Sequence, residues 1–393
     1  MTGMGRDDTK TVLALNCGSS SLKFGLFRAG VSGPELLIGG EAEAIGTSEA
    51  RLNARAKDVR SSQPRAIADH TQAASEIFAL LAEHGGPVPA GVGHRIVHGG
   101  PLVRHHCLIN PPIMQALEAA RAFAPLHAPA ALEVVRIAQA QFSACPHVAC
   151  LDTTFHFGLP DVARRLPIAA ALQVDGVERY GFHGLSCESV LHQLGDAAPS
   201  RLVIAHLGSG SSVTAVKAGR SIDTSMGLTP SGGVMMATRA GDIDPGLVVY
   251  LIRKHGLDAG RLEVLVDHEA GMAGVSHLSG DLRQLRAAGS DPAARLAIQM
   301  FVYSVRKQIA AMAAALEGLD LLVFTGGIGE QDALTRAEIC AGLSWLGFDP
   351  AVAQERAGAA PRGARPRIRV LPANEEEQIA RHALTLIASA DPP

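Results

Sequence analysis

Two stretches of this chain share one plan, and that repetition constrains the fold more than any other feature of the sequence. The first is Thr11-Val-Leu-Ala-Leu-Asn-Cys-Gly-Ser-Ser-Ser-Leu-Lys-Phe-Gly-Leu-Phe27. The second is Leu202-Val-Ile-Ala-His-Leu-Gly-Ser-Gly-Ser-Ser-Val-Thr-Ala-Val216. Each has an apolar run, a polar residue, a Gly/Ser tip and a returning run, which reads as strand–turn–strand. Asn16 stands where His206 stands, and Gly18 where Gly208 stands. Glycines let backbone N–H groups converge on one point, and the serines add hydroxyl donors. A concave set of donors suits a phosphate chain. A Gly/Ser turn alone is more often only a turn, but one such hairpin in each half implies a duplicated domain gripping one polyphosphate. No G-x-x-x-x-G-K-[ST] run exists, and no G-x-G-x-x-G opens a helix after an early strand, so neither a P-loop nor a dinucleotide fingerprint competes.

At 393 residues the chain is long enough for about two domains, and 47% hydrophobic residues supply a core throughout. A formal charge of −3 makes no electrostatic case for nucleic acid or a membrane surface as a partner. The six cysteines are scattered with no C-x-x-C pair, which predicts free thiols and a cytoplasmic location. Neither a secretory leader nor a membrane-spanning run is expected.

In chain order, the first hairpin is followed by Gly-rich connections and a polar segment near Arg51–Arg65. Helical periodicity over 66–84 places Ile67, Ala74, Ile77 and Leu81 on one face. A buried strand over 90–97 ends in Gly93-His-Arg-Ile-Val-His-Gly-Gly100. Its H-x-x-x-H lacks the Glu and the helix that a zinc motif needs, so Arg95 is the residue of interest. Its guanidinium can clasp a carboxylate or phosphate through two parallel bonds, or form an ordinary surface ion pair. Asn110 caps a helix running to about Phe123, and Pro129 starts another that ends near Phe142. Between them two prolines hold Leu126 and His127 in a stiff corner, where His127 either donates to a phosphoryl group or stabilises the turn. A short strand over 146–151 ends at Asp152, either a crevice carboxylate or an N-cap. Tyr180-Gly-Phe-His-Gly-Leu-Ser186 sets His183 between glycines before a helix capped by Ser186; close ligand approach and a satisfied loop histidine both fit.

The stretch Asp223–Pro245 is the longest without a clear period and carries a second isolated arginine, Arg239. Asp244-Pro245 reads as a cap and first turn, and helices follow over 246–256 and 293–316. Ser279-Gly-Asp-Leu-Arg283 is a helix start or a polar ligand contact. A buried strand over 319–324 runs into Thr325-Gly-Gly-Ile-Gly-Glu-Gln331, whose amides could meet a nucleotide. Pro372-Ala-Asn-Glu-Glu-Glu377 opens the closing helix, where the carboxylates favour the macrodipole or attend a metal.

These residues resemble the acetate kinase family, a branch of the actin-like sugar kinase and chaperone ATPase superfamily, from about Val12 to Ala388. The motifs are Asn16-Cys-Gly-Ser-Ser-Ser-Leu-Lys23, His94-Arg-Ile-Val-His-Gly-Gly100, Ala124-Pro-Leu-His127, Asp152-Thr-Thr-Phe-His156, Tyr180-Gly-Phe-His-Gly184, Thr224-Ser-Met-Gly227, Thr238-Arg239 through Asp242-Ile-Asp-Pro245, Gly326-Gly-Ile-Gly-Glu330 and Asn374-Glu-Glu376. The resemblance implies an α/β fold of duplicated actin-like (ribonuclease H-like) domains around an interdomain cleft. It divides the chain into 1–151, closed by a C-terminal helix over 376–393, and a nucleotide-binding 152–375. It implies reversible, direct in-line transfer of the ATP γ-phosphate to acetate with Mg²⁺ (Mn²⁺ as substitute), in a homodimer.

Residue by residue, the resemblance assigns Asn16 and Glu375 to the metal and Arg95 to the substrate carboxylate. Asp152 lies beside the reacting groups, His183 and Arg239 stabilise the transition state, and His127 makes a further phosphoryl contact. Lys23, His206, Leu207, Gly208, Ser209, Gly210, Asp281, Leu282, Arg283, Gly327, Ile328, Gly329, Glu330 and Gln331 match nucleotide positions. Val97, Leu126, Phe182 and Pro230 match the pocket for the methyl group. The chain departs from the family pattern at Ala128, Ser209, Ser231-Gly232 and Gln331, none of them a charged catalytic position. A propionate or other short-chain acyl kinase is the nearest rival, and an actin-like ATPase clamp the rival from another class. A sugar kinase lacks a clear base for a hydroxyl nucleophile, and a covalent phosphoenzyme on Glu375 or Asp152 is the minority mechanism.

Overall fold

The computed structural model describes residues 10–56, 59–125, 127–173, 175–348 and 367–390. The chain forms two compact units: one runs to Thr154 and takes back the segment from Asn374, and the other is Phe155–Ala373.

The first unit is built on an eight-stranded sheet: β1 (Thr11–Cys17), β2 (Leu22–Gly30), β3 (Gly33–Glu43), β4 (Arg51–Ala56), β5 (Val59–Pro64), β6 (Gly91–Ile96), β7 (Cys107–Leu108) and β8 (His147–Leu151). Spatial order is β5-β4-β3-β2-β1-β6-β8-β7. The run from β1 to β5 is antiparallel, whereas β6 and β8 lie parallel to β1. β1 is buried on both faces, as strands in a covered sheet are. Period-2 alternation in β2 sends Leu22, Phe24 and Leu26 into the same apolar core as Ile77, Leu81, Leu132 and Val135 of the helices His70–Glu83 and Ala128–Gln141. The helix Glu375–Ala390 packs on the other face, with Ile379, Ala380, Ala383 and Ile387 buried. Its close approach explains the composition of β6: a Cβ on Gly93 would stand 2.6 Å from Ile379 Cγ2.

The second unit has β9 (Arg201–Leu207), β10 (Ser211–Lys217), β11 (Arg220–Thr224), β12 (Leu321–Thr325) and β13 (Arg367–Val370), in the order β11-β10-β9-β12-β13. β9, β10 and β11 are antiparallel, and β12 and β13 run parallel in the direction of β9. This is the order and sense of β3-β2-β1-β6-β8, so the repeated hairpin marks a repeated sheet. Alternation splits β9 between two cores. Val203 and Ala205 cluster with Phe301 and Val305 of the 24-residue helix Pro292–Ala315; Leu202 and Ile204 cluster with Cys187 and Val190 of the helix Gly184–Leu194.

Three local expectations need correction. Most of the Gly-rich and polar stretch from 33 to 64 is not a connection but the strands β3, β4 and β5, which continue the sheet from β2 to its edge at β5. The helix expected over 66–84 starts at His70, because the Asp69 side chain accepts from Gln72 N and caps it there. Ser186 does not cap its helix: His183 occupies that position with φ 57°, and Ser186 lies a turn inside.

Candidate active site

In the first unit, β1, β6, β8 and the start of the closing helix bring four of the expected residues together. Asn16 and Glu375, 359 positions apart, meet through a 2.8 Å bond from Asn16 Nδ2 to Glu375 Oε2, and the same nitrogen donates to Glu376 Oε1 at 2.8 Å. Asn16 Oδ1 accepts from Arg95 Nη1 at 3.1 Å. Arg95 Nε and Nη2 both donate to Asp152 Oδ2, at 2.9 and 2.6 Å. Asp152 is fully buried and the Arg95 side chain 14% exposed, so the pair is no surface ion pair. Burial opposes the guanidinium charge, but Asp152 and Glu375 outweigh it and hold the Arg95 pKa above its ordinary value. A guanidinium has five N–H donors, and among the described residues three of those of Arg95 are committed. Beside it, Cys17 is pushed up to about 12 by burial, against the pull of Arg95, and stays a neutral thiol.

Lys23 stands opposite Asn16 and Glu41 in the register of β1, β2 and β3. Burial works against its charge, and Glu376, Glu41 and Glu375 raise its pKa. Val97 is buried just past β6, two residues beyond Arg95. His127 stands at the N-cap position of the helix Ala128–Gln141 without a side-chain capping bond. Leu126 lies outside the described residues. The two histidines of the H-x-x-x-H stretch diverge: His94 Nε2 meets His147 Nδ1 at 2.9 Å, and His98 Nδ1 accepts from Gly100 N.

In the second unit the hairpin β9–β10 is the centre. His183 is left-handed at φ 57°, preceded by Gly181 at φ 72°, where a Cβ would strike the His156 ring. His183 Nδ1 meets Ser212 Oγ at 2.9 Å, and the residue is buried. A Cβ placed on Gly210 would stand 3.4 Å from His183 Nε2 and 3.4 Å from Arg239 Nη1. The two side chains singled out from separate motifs therefore converge above the bare tip of the phosphate-shaped hairpin. Arg239 Nη1 is steadied by Pro230 O at 3.1 Å. The His183 ring stacks on His206 at 4.2 Å, and His206 Nδ1 meets Ser186 Oγ at 2.9 Å.

His206 Nε2 faces the glycine-rich start of the short helix Gly326–Gln331. A Cβ on Gly326 (φ 78°) would stand 3.1 Å from it, and one on Gly208 would stand 4.0 Å from Gly327 N. Leu207 and Gly329 are buried, Ile328 is half-buried, and Ser209, Gly327 and Gln331 are exposed. Glu330 Oε1 accepts from Gly326 N and Ala373 N, tying that helix start to the chain beyond β13. Asp281 caps the helix Leu282–Ala287 through Arg283 N and pairs with the Arg283 side chain, while Leu282 is core. The hydrogen bond from Arg283 holds the Asp281 carboxyl below its usual value. Phe182 is fully buried, and its carbonyl accepts from His156 Nε2.

The hairpin serines need a further correction. Ser211 and Ser212 do not add hydroxyls to a donor array; both are buried, Ser211 closing the turn on Gly208 and Ser212 orienting His183. Ser186, Ser212 and Glu376 are the participants that motif reading missed. Only Ser212 had a signal, strand alternation: it lies opposite His206 in the β9–β10 register.

A duplicated five-stranded core, each copy carrying a glycine hairpin with charged groups at its mouth, is the architecture of the actin-like phosphotransferases. The chain belongs to the Acetokinase family, whose model matches residues 11–381. It is 40% identical to the acetate kinase of Pseudomonas aeruginosa over 395 residues, spanning 96% of this chain and 99% of that protein. Among solved structures it resembles a propionate kinase from Francisella tularensis (34% identity, TM-score 0.88, covering 96% of this chain and 100% of that one). The acetate kinase of Porphyromonas gingivalis matches at 33% identity and a TM-score of 0.82, with the same coverage.

Proposed function

We propose that the chain transfers the γ-phosphate of ATP to acetate, giving acetyl phosphate and ADP, reversibly and in one in-line displacement. The observation that carries this reading is the convergence of His183 Nε2 and Arg239 Nη1 above Gly210. Phosphoryl transfer asks the protein for position and charge rather than covalent chemistry. Arg95 holds the acetate carboxylate, and Asp152 and Asn16 fix the guanidinium. An acetate oxygen forms the bond to the γ-phosphorus as the bond to the β,γ-bridging oxygen breaks and ADP leaves. Acetate is already ionised, so no proton moves and no base is needed. Arg239 and His183 offset the charge spread over the phosphoryl oxygens. His127 adds a contact to the same group.

The nucleotide lies along Lys23, His206–Gly210, Asp281–Arg283 and Gly327–Gln331. Asn16 and Glu375 would hold Mg²⁺ or Mn²⁺, which take hard carboxylate and amide oxygens, and Glu376 lies beside them, accepting from the same Asn16 amide nitrogen as Glu375. When bound, the ion neutralises phosphate charge. Val97, Leu126, Phe182 and Pro230 wall the methyl group.

Incubation with ATP, Mg²⁺, hydroxylamine and a panel of carboxylates tests the reading: acyl hydroxamate should form fastest with acetate. A second reading, a short-chain acyl kinase favouring propionate, draws on the likeness to the Francisella protein; propionate outrunning acetate in that assay would select it. No hydroxamate with any acid would reject both. We further infer a homodimer, because the helix Pro245–His255 has no buried residue and exposes Leu247, Val249, Tyr250 and Ile252. A monomer by light scattering would reject that. Work in the cytoplasm is supported by ATP as substrate and by six free cysteines.

A further inference from the structure

The antiparallel half of the first sheet carries an arrangement that the phosphoryl-transfer reading does not use. On the face of Lys23, side chains form two rows across β2, β3, β4 and β5. One row reads Lys23–Glu41–Asn53–Ser62 and the next Gly25–Gly39–Arg55–Arg60. The second row is the unusual one. Its two glycines leave space that Phe27 and Leu36 fill from above; a Cβ on Gly39 would stand 3.1 Å from Leu36 Cδ1. Leu36, 41% exposed, thus supplies the open part of the apolar floor, beside Phe27, which is buried at 4%. Next to that floor Arg55 and Arg60 face each other directly. Like charges opposite one another destabilise a hairpin. Among the described residues neither guanidinium has a carboxylate at ion-pair distance. Together the rows line a cavity of about 670 Å³, closed on one side by Glu376 and Glu377 of the closing helix. That volume is in the range of small-molecule sites.

We propose that this cavity is a binding site for a small organic dianion held by Arg55 and Arg60, which no step of the phosphoryl transfer uses; at its far side it borders Lys23 and Glu376, which the proposed function places beside the nucleotide and the metal. A phosphate monoester or a dicarboxylate offers two negative charges to the Arg55–Arg60 pair, with the planar fork geometry guanidinium groups favour. The carbon body rests on Phe27 and Leu36. Hydroxyl groups at the far end donate to Glu41 and bond Asn53 and Ser62. Glu41 lies one strand over from Arg55 and two residues along, and Glu376 and Glu377 lie on the Lys23 side of the cavity, so these carboxylates disfavour a second anionic group at that end.

The test is titration calorimetry of the full chain with glycerol 3-phosphate, succinate and inorganic phosphate as probes, at low salt and then at high salt. One saturable site per chain is expected, weakened roughly ten-fold or more in Arg55→Gln/Arg60→Gln. Preference for glycerol 3-phosphate or for succinate separates the phosphate source from the carboxylate one. Both arginines are exposed, so the variant should fold and turn over like the parent. In Arg60→Glu the like-charge pair becomes an ion pair: thermal stability should hold or rise while dianion binding is lost. Binding that survives unchanged in either variant, or no saturable binding of any probe below about 10 mM, overturns the proposal.

Discussion

Removing Asp152 should show how much of the candidate site rests on a single buried pair. In Asp152→Ala the Arg95 guanidinium, 14% exposed, loses the oxygen that takes two of its bonds, at 2.9 and 2.6 Å. Breaking a buried pair by deleting one partner costs about 3–5 kcal/mol, because the surviving charge stays desolvated. Arg95 keeps its bond to Asn16 and the attraction of Glu375, which sets the cost at the lower end, about 3 kcal/mol. For a unit of this size that amounts to roughly 6–12 °C in melting temperature. Asp152→Asn preserves shape and one acceptor and should cost clearly less. Urea unfolding of the parent, Asp152→Ala, Arg95→Ala and the double variant gives the coupling energy directly. Acetate kinetics on the same proteins read the function: with the guanidinium no longer held, KM for acetate should rise more than kcat falls. A loss below about 1 kcal/mol with additive single effects would refute the buried pair as the organising interaction.

Arg239→Ala should leave a folded protein with turnover lowered roughly a hundred- to thousand-fold, the typical worth of one transition-state donor; near-normal turnover would remove Arg239 from the reaction. Ser212→Ala deletes the partner of His183 Nδ1 without touching any reacting group, so kcat and its pH profile should change while KM for ATP holds; unchanged profiles would leave Ser212 a packing residue. His156 is buried and neutral, its pKa lowered to about 4 chiefly by burial, and burial lowers His94 and His147 as well. The native state therefore binds fewer protons than the unfolded one below about pH 6.5. Stability should be full above that value and fall as pH drops toward 4, with His156 alone contributing about 3 kcal/mol across the window; a flat urea midpoint from about pH 7.5 to 5 would contradict this. Val97→Ala should raise kcat/KM for propionate relative to acetate, the added room being worth about 1–3 kcal/mol per methylene; an unchanged ratio would take Val97 out of the acyl pocket.

Local chemistry carried the parts of this protein that its sequence determined alone. The two hairpins are legible because apolar runs flank a glycine tip within a dozen residues. The caps Asn110 and Asp244 are legible because an Asx side chain before proline has one near partner, the backbone N–H two or three residues on. Tertiary structure decided what those pieces touch. Arg95 meets Asp152 across 57 positions because the parallel strands β6 and β8 end side by side, and Asn16 meets Glu375 across 359 because the closing helix packs back on the sheet. The same pairing across strands turned Ser212 from a phosphate donor into the support of His183, and turned a polar stretch into the hairpin that sets Arg55 against Arg60. A strand's face is written in its alternation, but its neighbour is chosen by packing of the whole sheet, and no residue on the strand states it.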